Sequence, residues 1–157
     1  MGIETERKFL VSDDSWRPEA VNSEDIRQAY LANTTRSSIR IRTMGETANI
    51  NIKQMLVGPS RTEYEYAIPV NEANELLDSL CEPVEIQKTR YFVPIGPHTW
   101  EIDVFSGANS GLVVAEIELQ SIEEEFSKPG WLGPEVTDDV RYYNVALASK
   151  PWSEWGK

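Results

Sequence analysis

Ala115-Glu116-Ile117-Glu118-Leu119 alternates apolar and acidic residues without a break. Successive side chains of a strand point to opposite faces. This segment therefore reads as a strand with two carboxylates about 6.6 Å apart on one side and apolar groups on the other. The same period runs back through the chain. Glu101 and Asp103 oppose Ile102 and Val104, Glu63 and Glu65 oppose Tyr64 and Tyr66, and Arg40 and Arg42 oppose Ile39 and Ile41. Lys53 shares a face with Asn49 and Asn51, opposite Ile50 and Ile52, while Glu4, Glu6 and Lys8 share one opposite Ile3 and Phe9. Lys88 and Arg90 form a further pair, less cleanly, because Ile86 and Phe92 fall on their face.

With turn residues at Met44-Gly45-Glu46, Gly58-Pro59-Ser60, Gly96-Pro97 and Gly107-Ala108-Asn109-Ser110-Gly111, the alternation predicts eight strands over residues 3–11, 25–32, 36–43, 48–55, 61–69, 84–94, 99–105 and 112–120. Ala73, Leu76, Leu77 and Leu80 recur at helical spacing, so a helix follows Asn71 as its cap and stops at Pro83. After residue 120 the pattern turns to short helical pieces, at 121–126 and at 139–148 with Thr137 or Asp138 as cap. Such a chain is α+β, with an antiparallel sheet large enough to curl or close. If the charged faces lined a closed barrel, sheet edges would vanish and a ligand would be enclosed. The apolar faces would then need helices or a second subunit to cover them. Periodicity leaves open which face is inside.

The totals point elsewhere at first. The 157 residues suit a single domain over 1–157, and 26 acidic against 15 basic residues leave a net charge of −11. That balance disfavours nucleic acid and anionic membranes as partners. No apolar run is long enough to span a membrane, no secretory signal pattern opens the chain, and the one cysteine, Cys81, excludes an internal disulfide. A cytoplasmic location is expected.

Where the charges fall matters more. Ordinary surface strands mix signs, whereas most strands here carry a same-sign pair, which is unfavourable unless opposite charge lies between or across. The face holds eight acids (Glu4, Glu6, Glu63, Glu65, Glu101, Asp103, Glu116, Glu118) and six bases (Lys8, Arg40, Arg42, Lys53, Lys88, Arg90), two negative charges net. One or two divalent cations would make it positive, the sign a phosphate chain requires. Glu4/Glu6 and Glu116/Glu118, with Asp103 as a fifth, suit Mg²⁺ or Mn²⁺. The arginines suit phosphate oxygens in fork geometry, and the lysines act as point charges.

Glu4-Thr5-Glu6-Arg7-Lys8 resembles the ExExK signature of the CYTH superfamily, the triphosphate tunnel metalloenzymes. Gln28-Ala29-Tyr30-Leu31, Arg40-Ile41-Arg42, Lys88-Thr89-Arg90-Tyr91, Trp100 to Phe105, Ala115 to Leu119 and Trp131 to Thr137 extend the likeness over nearly the whole chain. The resemblance implies an eight-stranded antiparallel barrel with helices packed outside, its tunnel binding triphosphate through basic residues and divalent metal through acidic ones. Members include class IV adenylate cyclases, thiamine-triphosphatases and inorganic tripolyphosphatases. No cluster suited to a base or to thiamine stands out, so inorganic tripolyphosphate, cleaved to diphosphate and phosphate, is the expected substrate. Nucleoside or thiamine triphosphate, the cyclase reaction and a non-enzymatic polyphosphate-binding module are the alternatives.

On this reading Lys8, Arg40, Arg42, Lys53, Lys88 and Arg90 bind triphosphate, and Glu4, Glu6, Asp103, Glu116 and Glu118 bind metal. Glu63 and Glu65 position a water or, preferably, hold the basic side chains by ion pairs. Tyr30 pairs with Lys8 in proton transfer or, preferably, is an interior hydrogen-bonding residue. His98 is expected at the surface, Cys81 as a small buried apolar residue, Glu123 to Glu125 as a solvated acidic face, and Arg141 in a surface ion pair. Trp131, Trp152 and Trp155 are expected to cover apolar barrel surface. A homodimer is compatible with an apolar barrel exterior carrying few helices.

Overall fold

The computed structural model describes residues 2–155. Strands β1 (Gly2–Val11), β2 (Asn22–Asn33), β3 (Ser37–Met44), β4 (Thr47–Gln54), β5 (Ser60–Ala67), β6 (Ile86–Ile95), β7 (His98–Ser106) and β8 (Val113–Leu119) pair antiparallel in the order β5-β4-β3-β2-β6-β7-β8-β1. Pairing of β5 with β1 closes the ring into an eight-stranded barrel. A ninth strand, β9 (Leu132–Glu135), joins β1 beyond its contact with β5. The sequence gives no alternation there. Gly133 permits the approach, since a Cβ on it would lie 2.8 Å from the Leu10 carbonyl oxygen.

The charged faces point inward. Outside, the apolar faces are covered in patches. Phe9, Val93, Trp100, Ile102, Ala115, Ile117 and Leu119 form one cluster under Trp16 and Trp131. Helix α1 (Val70–Ser79) lays Ala73 and Leu77 on Ala29, Ile41 and Ala48. It starts one residue before Asn71, with Pro69 in extended conformation as its cap. Leu80 lies beyond its last turn and is 66% exposed, so it is not on the packed face. Cys81 is half-buried at the margin of this cluster.

The C-terminal segment departs most from expectation. In place of one helix over 139–148 there is a single 3-10 turn (Val140–Tyr142), capped by the Asp139 side chain, then Tyr143 in extended conformation and a short α2 (Asn144–Ser149). Tyr143 breaks the helix because its side chain is used elsewhere. Its hydroxyl donates to the Thr137 carbonyl (2.7 Å) and accepts from the Gly58 N–H (3.0 Å). Tyr142 and Leu147 pack on the inner-face apolar residues Ile86, Phe105 and Val114, with Trp152 and Trp155 against the same cluster. The impure face noted at Ile86 is thus where the chain stops one side of the barrel end.

Residues 121–126 are not helical either. Glu124 is pinned by the Gln120 N–H and by His98 (2.5 Å), and Phe126 packs edge-on against Phe9 and Trp100. His98 is therefore a half-buried partner of Glu124 and Phe126, away from the barrel interior. Arg141 makes the expected surface ion pair, with Asp139.

Candidate active site

Antiparallel register decides which inner-face residues meet. Lys8 stands opposite Glu116 and Glu6 opposite Glu118; Arg90 faces Asp103, and Glu101 faces Glu116. On the other wall Tyr30 faces Arg40, Gln28 faces Arg42, Arg40 also faces Asn51, and Lys53 faces Glu63. Glu6, Lys8, Tyr30, Arg40, Asn51 and Lys53 line one cavity of about 740 Å³, walled towards solvent by the loop 55–58 and by Asn144 to Ala146 of α2.

Charges inside sort into three groups. In the first, Asp103, with its side chain 1% exposed, accepts from Arg90 Nε (2.8 Å) and Nη2 (3.0 Å), and Lys88 Nζ lies 2.7 Å from its Oδ2. Burial opposes the charged form of Asp103, but Arg90 and Lys88 outweigh it and hold the carboxyl well below the usual range. Lys88 is pushed down to about 7 by burial, with Arg90 and Arg42 adding repulsion against the pull of Asp103. Both Asp103 oxygens are thus taken by cations, which is a different environment from the expected metal-ligand one.

The second group is acidic. Burial, followed by the neighbouring Glu116 and Glu4, pushes the Glu6 carboxyl well above the ordinary value. Burial also raises Glu4, which bonds Lys53 at 3.0 Å. Lys53 in turn reaches Glu63 (3.4 Å), and Glu65 accepts from Asn51 (3.3 Å). Glu63 is thus ion-paired to Lys53, while Glu65 holds an amide. Glu116 is buried yet held down at about 2, because Lys8, Arg90 and Lys88 overcome its desolvation. Glu118 is exposed at the rim.

The third group is cationic and unbalanced. Arg40 is 6% exposed, its Nε has no hydrogen-bond partner, and no carboxylate lies within ion-pair distance among the described residues. Among the described residues Arg42 donates only to the Gln28 side-chain oxygen (2.8 Å), and burial plus repulsion from Arg40 and Arg90 lowers it to about 9. Asp103 pulls the other way on Arg42 without reaching ion-pair distance among the described residues, so two buried guanidinium groups stand side by side with no carboxylate bonded to either, a seat for an anion. The lysines, by contrast, are balanced: Lys8 lies 3.7 Å from Glu116, is held by the Tyr142 carbonyl (3.1 Å) and lies 5.3 Å from the Tyr143 ring, and Lys88, besides Asp103, bonds Asn144 (3.1 Å).

The CYTH domain model matches residues 2–150. The chain belongs to the CYTH family. An inorganic triphosphatase of Acetivibrio thermocellus is 44% identical over 155 residues, 99% of each chain, and one of Nitrosomonas europaea is 39% identical over 92% of this chain and 96% of its own. A crystal structure of an inorganic triphosphatase superposes with a TM-score of 0.67 at 35% identity, covering 92% of this chain and 93% of that one. A protein from Pyrococcus horikoshii OT3 reaches 0.61 at 18% identity over 76% and 80%, a likeness of fold alone.

CYTH triphosphatases use a divalent cation, and the acidic group of this chain fits one. Glu6 is a carboxyl crowded by Glu116 and Glu4 and offset only in part by Lys53, a crowding that a divalent cation would relieve. No three acidic, histidine or cysteine side chains among the described residues are spaced to hold a metal by themselves. Two carboxylates completed by phosphate oxygens suit Mg²⁺ or Mn²⁺. A raised carboxyl costs the folded state stability that grows as pH rises from the unfolded value through the raised one. Glu6→Gln should therefore raise the melting temperature of metal-free protein at neutral pH, while cutting metal-dependent turnover by about a hundredfold or more. Melting curves with and without Mg²⁺ check it; a lower melting temperature in the metal-free variant would contradict the crowding.

Sequence reading assigned no role to Arg61, Asn51 and Tyr143, which line this cavity, or to Gln28, which holds Arg42. Arg61 was within reach, because it shares parity with Glu63 and Glu65 and stands opposite Glu4.

Proposed function

We propose that this protein hydrolyses inorganic tripolyphosphate to diphosphate and phosphate with Mg²⁺ or Mn²⁺. The observation that carries the reading is the buried Arg40, which has no acid partner among the described residues, in one cavity with Glu6, whose carboxyl is crowded by Glu116 and Glu4. Relatives named inorganic triphosphatase at 44% and 39% identity over nearly their whole length support it.

Arg40 and Arg42 take the phosphate oxygens in fork geometry, with Lys53 and Lys8 as point charges on the walls. Glu6 and Glu116, flanked by Glu4 and by the exposed Glu118, would hold the cation. Their bound cation would supply charge screening for the phosphates and a more acidic water. Asp103 positions Arg90 and Lys88, and Glu63 positions Lys53. Tyr30 offers a hydroxyl from the wall opposite Arg40. Phosphoryl transfer needs mainly placement and charge stabilisation, which is what fixed cations in a closed barrel provide. The reading includes a single domain over 1–157 and a cytoplasmic location, and the net charge of −11 speaks against nucleic-acid or anionic-membrane partners. A homodimer through the exposed Ile3, Tyr64 and Tyr66 on the β1/β5 exterior completes the reading.

Purified protein should release phosphate from tripolyphosphate with Mg²⁺ or Mn²⁺ and lose at least 90% of that activity in excess EDTA. Adenosine and thiamine triphosphates serve as parallel substrates, with cyclic AMP monitored. Tight tripolyphosphate binding without turnover would replace the enzyme by a binding module.

A further inference from the structure

Arg61 lies on the inner face of β5 and lines the same cavity as Arg40, Lys53 and Lys8, but it is half-buried where Arg40 and Lys8 are buried, which puts it towards the solvent side. The loop beside it is exposed, with Met55, Leu56 and Val57 at 36%, 48% and 58%. Two contacts fix the guanidinium. Its Nη2 donates to the Gly58 carbonyl (3.0 Å), and its Cζ lies 4.9 Å from the centre of the Tyr143 ring. Tyr143 is itself bolted to Gly58 and Thr137 through its hydroxyl. No carboxylate lies within ion-pair distance of Arg61 among the described residues. The chain has therefore broken its last helix at Tyr143 to hold an arginine ready, without giving that arginine an acid.

The same ring also carries Lys8, with Nζ 5.3 Å from its centre. Tyr143 thus sets the half-buried Arg61 against the buried Lys8, so a linear anion seated on Arg40 in the same cavity is led past Lys8 towards Arg61. We propose that Arg61 takes the terminal phosphate at the mouth and so determines chain length, retaining a triphosphate while a diphosphate seated within leaves its guanidinium unused. This rests on the tripolyphosphatase reading and adds a residue to it. The apolar loop around Arg61 strengthens the contact, because a charge-assisted hydrogen bond gains as water is excluded.

The test compares wild type, Arg61→Ala and Arg61→Lys by steady-state kinetics on tripolyphosphate with Mg²⁺, with diphosphate as inhibitor. Loss of one such contact should raise KM for tripolyphosphate about ten- to a hundredfold. The turnover number should stay within threefold, the inhibition constant of diphosphate should change less than threefold, and lysine should recover part of the loss. Equal weakening of tripolyphosphate and diphosphate, an unchanged KM, or a fall confined to kcat would overturn the assignment. If wild type releases no phosphate, the hydrolase reading fails, and calorimetric titration of the same variants with tripolyphosphate and diphosphate decides Arg61 separately.

Discussion

Asp103→Asn is expected to destabilise the fold by about 3–5 kcal/mol, although the change replaces one oxygen by an amide of the same shape. The side chain is 1% exposed, and its charge is the one that both Arg90 and Lys88 share. Taking it away leaves a buried guanidinium and a buried ammonium facing each other. Glu101, 3.5 Å from Arg90 and partly exposed, compensates poorly. For a domain of this size the loss corresponds to a melting temperature roughly 6–20 °C lower.

The pH dependence has a definite sign. Lys88 already titrates near 7 in the folded protein, and removing Asp103 pushes it lower still. Below both values the variant suffers the full loss of attraction; above about pH 8 Lys88 is neutral in either protein and its part of the penalty disappears. Urea unfolding at pH 6 and pH 9 should give a larger difference at pH 6. A variant within 1 kcal/mol of wild type at pH 6 would mean that the triad does not hold this wall together.

Asp103 also marks where reading the sequence reaches its limit. Alternation in Arg40-Ile41-Arg42 or Glu116-Ile117-Glu118 is local, so the division of each strand into two faces was legible, as were the eight strands and most of their bounds. Which charge meets which is set by the stagger between strands, and that is non-local. Nothing in Trp100 to Phe105 alone says that Asp103 lands opposite Arg90, with its two oxygens taken by Arg90 and Lys88. The resemblance, not the periodicity, turned the charged face inward.

The C-terminal misreading has another cause. Residues 139–148 have adequate helical character, but tertiary bonds to the Tyr143 hydroxyl override it, as does the apolar plug made by Tyr142 and Leu147. Strand β9 went unseen because its pairing depends on Gly133 accepting close approach by β1, which alternation does not record.

Arg40 should behave in the opposite way to Asp103 although both sit in one barrel. Its charge is buried with no acid to meet it, so the ligand-free fold gains nothing from holding it there. Arg40→Met keeps most of the volume and removes the unmatched charge; the melting temperature of ligand-free protein should hold or rise. Turnover should suffer heavily. A preorganised cation aimed at phosphate oxygens in a closed site is worth about 2.7–4 kcal/mol, so kcat/KM for tripolyphosphate should fall about 10²–10³-fold. Stabilisation by added tripolyphosphate should shrink in parallel, because it depends on binding to the folded state alone. The two measurements separate function from folding. A variant that loses activity and melts earlier would make Arg40 a structural residue, and one that keeps turnover within threefold of wild type would remove it from the phosphate seat. The opposed signs at Asp103 and Arg40 distinguish a charge the fold needs from a charge the fold tolerates for its ligand.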